Sequence, residues 1–134
     1  MAVHRVQIKR GNEAWAQCAE QLDALSDLAE RLEQCYQSTE SARGRVQNYK
    51  DEAFLSAIAE GKLDGKNAEQ RDAQMRVVLN RDVTYLSLAS EQQDCEDNER
   101  QTKTAWEITT LKLQAYRYLV QLRTAQLNAL AGKD

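Results

Sequence analysis

No proline occurs in this chain of 134 residues, and glycine stands only at 11, 44, 61, 65 and 132. These are the two residues that interrupt helices most strongly, and Ala, Leu, Gln, Glu, Asp and Arg dominate the rest. Long helices are what such a chain can build, so the expected fold class is all-α. One Phe and two Trp supply little bulk for a globular core. Evenly spaced Leu, Ala and Val suit the narrow seam of paired long helices instead.

From Asn12, a candidate N-cap, Trp15, Cys18, Leu22, Leu25, Leu28, Leu32, Cys35, Thr39, Ala42, Val46, Tyr49 and Ala53 recur at steps of mostly three and four. That spacing predicts a helix over about 13–59, with residues 1–12 as a flexible lead-in. Gly44 falls inside it and marks a candidate bend or close backbone contact. In EGKLDGKNAEQ two glycines four apart signal a stop and a turn over 60–67. Asn67 followed by Gln70 signals a capping-box start. A second helix is expected over about 68–80, with Met75, Val78 and Leu79 on its face. Asp82 in LNRDV can cap a third helix after a break at 80–82. That helix, over about 82–131, carries Val83, Leu86, Ala89, Trp106, Leu113, Leu119, Leu122, Leu127 and Leu130 as its expected apolar line.

The architecture this implies is a single helical domain, 1–134: an antiparallel long-helix hairpin of coiled-coil type with a third helix after the break. Each arm would span on the order of 65 Å at 1.5 Å per residue. Folding about residue 65 sets Cys35 near Cys95, to within about a turn.

Charge is segregated within a net of −3. Residues 20–40 carry Glu20, Asp23, Asp27, Glu30, Glu33 and Glu40 against Arg31, and would face the acidic stretch SEQQDCEDNERQTKT, residues 90–104, in which Cys95 is the sole apolar residue. Like charge on both arms with little to bury predicts a loosened middle. There Asp94, Glu96, Asp97 and Glu99 would offer a surface to a basic protein partner. The ends of the hairpin are basic by contrast.

Catalytic chemistry finds little foothold. His4 is the only histidine, so no Ser-His-Asp or Cys-His arrangement and no histidine-rich metal site can be assembled. The turn GKLDGKN lacks the spacing of a phosphate-binding Walker loop. Neither enzyme nor cofactor is expected. Cys18, Cys35 and Cys95 form no CxxC pair, and their odd number argues for reduced thiols. With no apolar run of membrane-spanning length and no signal-like start, a soluble, cytoplasmic protein is expected.

Two segments interleave basic and aromatic residues: Arg43, Arg45 and Lys50 around Tyr49, and Lys112, Arg117 and Arg123 around Tyr116 and Tyr118. Such patches can track a phosphate backbone while bases stack on the rings, and repetition around an oligomer would strengthen them. A homo-oligomer is expected on separate grounds, because a two-helix hairpin buries only one stripe per helix.

The long first helix, the turn with Lys and Asp, and MRVVLNRDV (75–83) leading into a long last helix resemble the phage UvsY-type recombination mediators, with the likeness running over residues 40–125. GKNAEQRDAQ followed by helix, short break and helix is also similar to helical proteins of phage and mobile-element genomes. The resemblance implies a ring-forming, non-catalytic protein that binds single-stranded DNA and a recombinase. Its expected contact residues are Arg43, Arg45, Tyr49, Lys50, Lys62 and Lys66, near the turn. The same seam equally suits a coiled-coil adaptor, assembly chaperone or secretion-stalk protein with no nucleic-acid role.

Overall fold

The structure, a computed structural model, describes the backbone of residues 2–132 and the side chains of residues 12–132. It is all-α, a long-helix hairpin with a third helix and no strand among the described residues: α1 spans Ala2–Ala59, α2 Ala68–Asn80 and α3 Val83–Leu130. The first helix begins well before the start expected near residue 13. The flexible lead-in is corrected to helix from Ala2 onward, with Gly11 and Asn12 inside it. One interior glycine costs about 1 kcal/mol against alanine, too little to stop a cooperative helix of this length. Met1 and the side chains of His4, Arg5, Lys9 and Arg10 lie outside the described residues.

Both joints are built by the residues that signalled them. At the end of α1, Gly61 adopts a left-handed φ of 72°. There the Gly61 amide donates to the Ile58 carbonyl at 3.1 Å and the Lys62 amide to the Ala57 carbonyl at 2.9 Å, the paired bonds of a Schellman stop. Asn67 caps α2 by accepting the Gln70 amide at 2.8 Å, while the Gln70 side chain accepts the Lys66 amide. A Cβ on Gly65 would fall 2.7 Å from that of Gln70, so the turn closes tightly on α2. The break expected at 80–82 is present: Asp82 caps α3 by accepting the Tyr85 amide at 3.1 Å.

The contacts gather into two units rather than one: a joint unit, residues 33–100, and a terminal unit, residues 1–32 with 101–134. In the joint unit the α1 side of the seam is the expected one. Cys35, Thr39, Ala42 and Val46 are buried, with Thr39 and Ala42 only 1% exposed. From α3 this seam receives Tyr85, Leu88, Gln92, Cys95 and Glu99, all half-buried. Small residues on α1 let the backbones approach closely. The Thr39 hydroxyl therefore donates to the Cys95 carbonyl at 3.3 Å, and the Asn98 amide to Cys35 Sγ at 3.4 Å. The loosened middle expected from like charge is thus corrected within this unit to a close polar seam. Cys35 receives the Asn98 amide, one turn along from Cys95, which agrees with the expected register to within about a turn.

In the terminal unit the seam keeps part of the expected apolar line, with Leu25 and Leu32 half-buried on α1. On α1 Ala14, Cys18 and Leu28 are buried, while Trp15 and Leu22 are exposed. An ideal helix drifts about 20° per heptad against a 3.5-residue repeat, which is enough to turn one column of side chains out of the seam. On α3 the buried column is Thr102, Leu113 and Arg123, with Trp106, Thr109, Tyr116 and Val120 half-buried. Of the line expected along α3, Leu113 is buried and Ala89 and Trp106 are half-buried, while Val83, Leu86, Leu119, Leu122, Leu127 and Leu130 are exposed. The helix has two lines in different phase, and the intramolecular seam uses the more polar one.

Candidate functional site

The six residues singled out near the turn all belong to the joint unit, and most are engaged within the chain. Arg43 reaches Glu96 of α3 at 3.2 Å, and Arg45 reaches Glu91 at 2.8 Å. The Tyr49 hydroxyl donates to Asp82. The Lys50 ammonium lies 5.9 Å from the centre of the Tyr85 ring, within cation–π range. Lys62 pairs with Glu60 at 2.7 Å, and Lys66 is exposed. Register explains the arginine pairs. That register brings the basic segment at 43–45 opposite acids of α3, so charges that are segregated along the sequence meet in space.

These contacts move the titrations in the directions charge and hydrogen bonding dictate. The hydrogen bond from Tyr49, then the Tyr85 amide, holds the Asp82 carboxyl below its ordinary value; that same bond raises the Tyr49 phenol. Glu96 is lowered by the Gln92 side-chain amide and then by Arg43, and Glu60 by Lys62. Of the acids proposed for a basic partner, Asp94 is exposed, Glu96 is held by Arg43 and Gln92, Asp97 is bonded to Gln93 and Arg100, and Glu99 is half-buried. Between α1 and α2 lies a shallow groove of about 320 Å³, lined by Phe54, Met75 and Leu79 with Lys50 and Arg76 among its charged edges. Among the described residues no cluster of three or more His, Cys, Asp or Glu could hold a metal ion.

A second feature, in the terminal unit, escaped the sequence reading. On α3 Ile108, Leu111, Ala115, Tyr118, Leu122, Ala125 and Ala129 follow alternating steps of three and four, and every one is exposed. This is a heptad stripe about 30 Å long at 1.5 Å per residue, and it lies away from the buried column of Thr102, Leu113 and Arg123. Leu111 is 64% exposed and Tyr118 61%. On α1 of the same unit, Trp15 and Leu22 stand exposed seven residues apart. The available signal was the three-four spacing from Ile108 to Ala129; the expected apolar line took Leu122 from it and Trp106 and Leu113 from the buried face, and so mixed the two faces.

Charge divides the same unit. Residues 12–32 carry five acids, Glu13, Glu20, Asp23, Asp27 and Glu30, against Arg31; residues 101–130 carry Lys103, Lys112, Arg117 and Arg123 against Glu107. Among the described residues none of those acids, and none of Lys103, Lys112 and Arg117, is in a salt bridge.

Fold and surface together define an all-α long-helix hairpin with an uncovered heptad stripe. No family model, characterised protein or solved structure matches the chain. Among the described residues no helix is long and apolar enough to cross a membrane.

Proposed function

We propose that this chain is a non-catalytic helical assembly protein, an adaptor or scaffold that works by protein–protein contact along the terminal unit. The observation that carries this reading is the exposed α3 stripe from Ile108 to Ala129, which is apolar at all seven positions. An isolated exposed leucine is ordinary, whereas a sustained heptad line is the recognition surface of another helix. A photo-crosslinking residue placed at Leu111 or Tyr118 in the protein's own cells should yield defined protein adducts. The same probe at Asp94 tests the acidic middle, and at Lys66 the turn. Absence of any protein adduct from both stripe positions would sink the assembly reading.

The recombination-mediator reading places single-stranded DNA at the joint unit. Its support is the exposed cation set on and beside α2, namely Lys62, Lys66, Arg71, Arg76 and Arg81, with Phe54 exposed on α1 as a stacking surface. It is the weaker of the two readings. Arg43 and Arg45 already neutralise Glu96 and Glu91, and residues 60–82 carry as many acids as bases. Fluorescence anisotropy with an oligo-dT strand separates the readings: DNA handling requires binding that weakens steeply with salt and is lost when Lys66, Arg71 and Arg76 are changed to Glu. Salt-independent or absent binding at low ionic strength eliminates it.

A further inference from the structure

We infer that the α3 stripe is covered by the same stripe of a second copy of this chain, running antiparallel to it about a twofold axis beside residues 116 and 117. The inference rests on the assembly reading and names its partner.

Three observations select this occupant. First, the stripe matches its own reverse in size. An antiparallel pair of heptad seams sets Ile108 beside Ala125 of the second copy, Leu111 beside Leu122 and Ala115 beside Tyr118, and the twofold axis repeats each pair. Ala129, the remaining position, meets Thr104. No layer sets alanine on alanine or tyrosine on tyrosine, so large and small side chains interdigitate throughout. A parallel, in-register pair would instead leave Ala115, Ala125 and Ala129 each facing its own copy, with a void at each, while Tyr118 crowds Tyr118. Second, charge permits the contact. Along the edges of the antiparallel seam Lys112 lies beside Leu119, Glu107 beside Asn128 and Gln114 beside Gln121, so no like charges meet. Third, the approach is open and the symmetry closes. Leu111 on the stripe and Leu113 in the buried column are about 200° apart around α3, so the second copy arrives on the face away from α1. Each copy contributes the same patch, and one twofold axis covers both stripes. The overlap of residues 104–129 is about 38 Å long at 1.5 Å per residue. With a strip 10–12 Å wide on each copy it buries roughly 800–900 Å² in total, less than a standard interface, which makes the dimer a weak, concentration-dependent one.

The test is sedimentation velocity over a concentration series, with variants that exchange a large side chain and the small one it faces. The wild type should pass from monomer to dimer as its concentration rises toward about 0.5 mM. Ala115→Tyr sets tyrosine on tyrosine and Tyr118→Ala sets alanine on alanine, so each variant alone should dimerise roughly tenfold or more weakly. An equimolar mixture of the two restores tyrosine on alanine and should recover a one-to-one dimer of near wild-type strength. Direction is read at Gln114 and Gln121, both exposed. Gln114→Lys with Gln121→Glu should tighten an antiparallel dimer several-fold, and Gln114→Lys with Gln121→Lys should weaken it by a similar factor, whereas in a parallel pair the two positions never meet. A wild type that stays monomeric throughout, single variants that dimerise like the wild type, a mixture that does not pair, or charge pairs without effect would each overturn the inference. Should circular dichroism show that a size variant has lost helix, the exposed pair Leu111→Gln with Leu122→Gln decides: loss of the dimer supports the contact, and an unchanged dimer overturns it. A monomeric wild type whose Leu111 crosslinks to a different protein refutes the second copy and leaves the assembly reading standing. No adduct of any kind refutes both.

Discussion

The joint unit and the terminal unit are built on the same two long helices, yet they differ in how their charges are used. In the joint unit small and polar residues are buried, and the charges of α1 and α3 are spent on each other: Thr39 on the Cys95 carbonyl, Arg43 on Glu96, Arg45 on Glu91. In the terminal unit Glu20, Asp23, Asp27, Lys103, Lys112 and Arg117 make no salt bridge among the described residues. Where the joint unit exposes Leu55 and Val83 singly, this one exposes a continuous heptad line from Ile108 to Ala129. The comparison teaches that a sustained apolar line on a paired helix need not be its intramolecular core. Where a polar seam suffices to hold two helices, the apolar line is left for something else.

The sharpest test of that difference compares two leucines two residues apart, on opposite sides of α3. Leu113→Ala, in the buried column, should cost about 2–5 kcal/mol in urea unfolding. Leu111→Ala, on the stripe, should leave monomer stability within about 0.5 kcal/mol and act only on association. Equal losses at the two positions would erase the distinction between seam and stripe. Next in size, Ala42→Leu should destabilise by about 1–3 kcal/mol, because the close approach in the joint unit leaves no room for three further carbons; a neutral result would show that the helices there are looser than their burial implies. Removing the α2 cap with Asn67→Ala should cost about 1 kcal/mol, read from the same urea curves. Gly44→Ala should go the other way, raising stability by about 0.5–1 kcal/mol. A Cβ at Gly44 meets nothing within 4 Å, so the expected close contact is absent there and only helix propensity changes.

The smallest effect is a pH dependence confined to the joint unit. Asp82 is lowered in the folded protein, so its contribution is full above the ordinary carboxyl value near pH 4 and fades as pH falls through the still lower folded value. Tyr49 is raised, so its contribution is full below the ordinary phenol value near pH 10 and is lost as pH rises through the higher folded value. The difference in melting temperature between wild type and Tyr49→Phe should therefore be constant between these limits and shrink beyond either one. A difference that grows on acidification would refute the Tyr49–Asp82 bond as the source.

Much of the fold was legible because its signals are local. The glycine stop at Gly61, the Asn67 cap and the Asp82 cap act within a few residues of themselves, and all three stand where their residue types indicated. Absence of proline dictated long helices before any contact was considered. The start of α1 was misjudged because a plausible cap, Asn12, carries no force where the preceding residues also favour helix. The six candidate DNA-contact residues were legible from composition, but the engagement of five of them with Glu96, Glu91, Asp82, Tyr85 and Glu60 depends on partners that are distant in the chain or on rotamers that sequence does not state.

Sequence by itself determined that the chain is helical, where its helices stop and restart, and that α3 carries apolar residues at helical spacing. Tertiary structure decided which of them face α1. Helix propensity and capping are properties of neighbouring residues, whereas the choice of face depends on how closely two backbones can approach. The small side chains of Thr39 and Ala42 permit an approach close enough for a hydroxyl to reach the carbonyl across the seam. In the terminal unit the same kind of choice leaves Leu113 in the seam and turns Leu111, Leu119 and Leu122 outward.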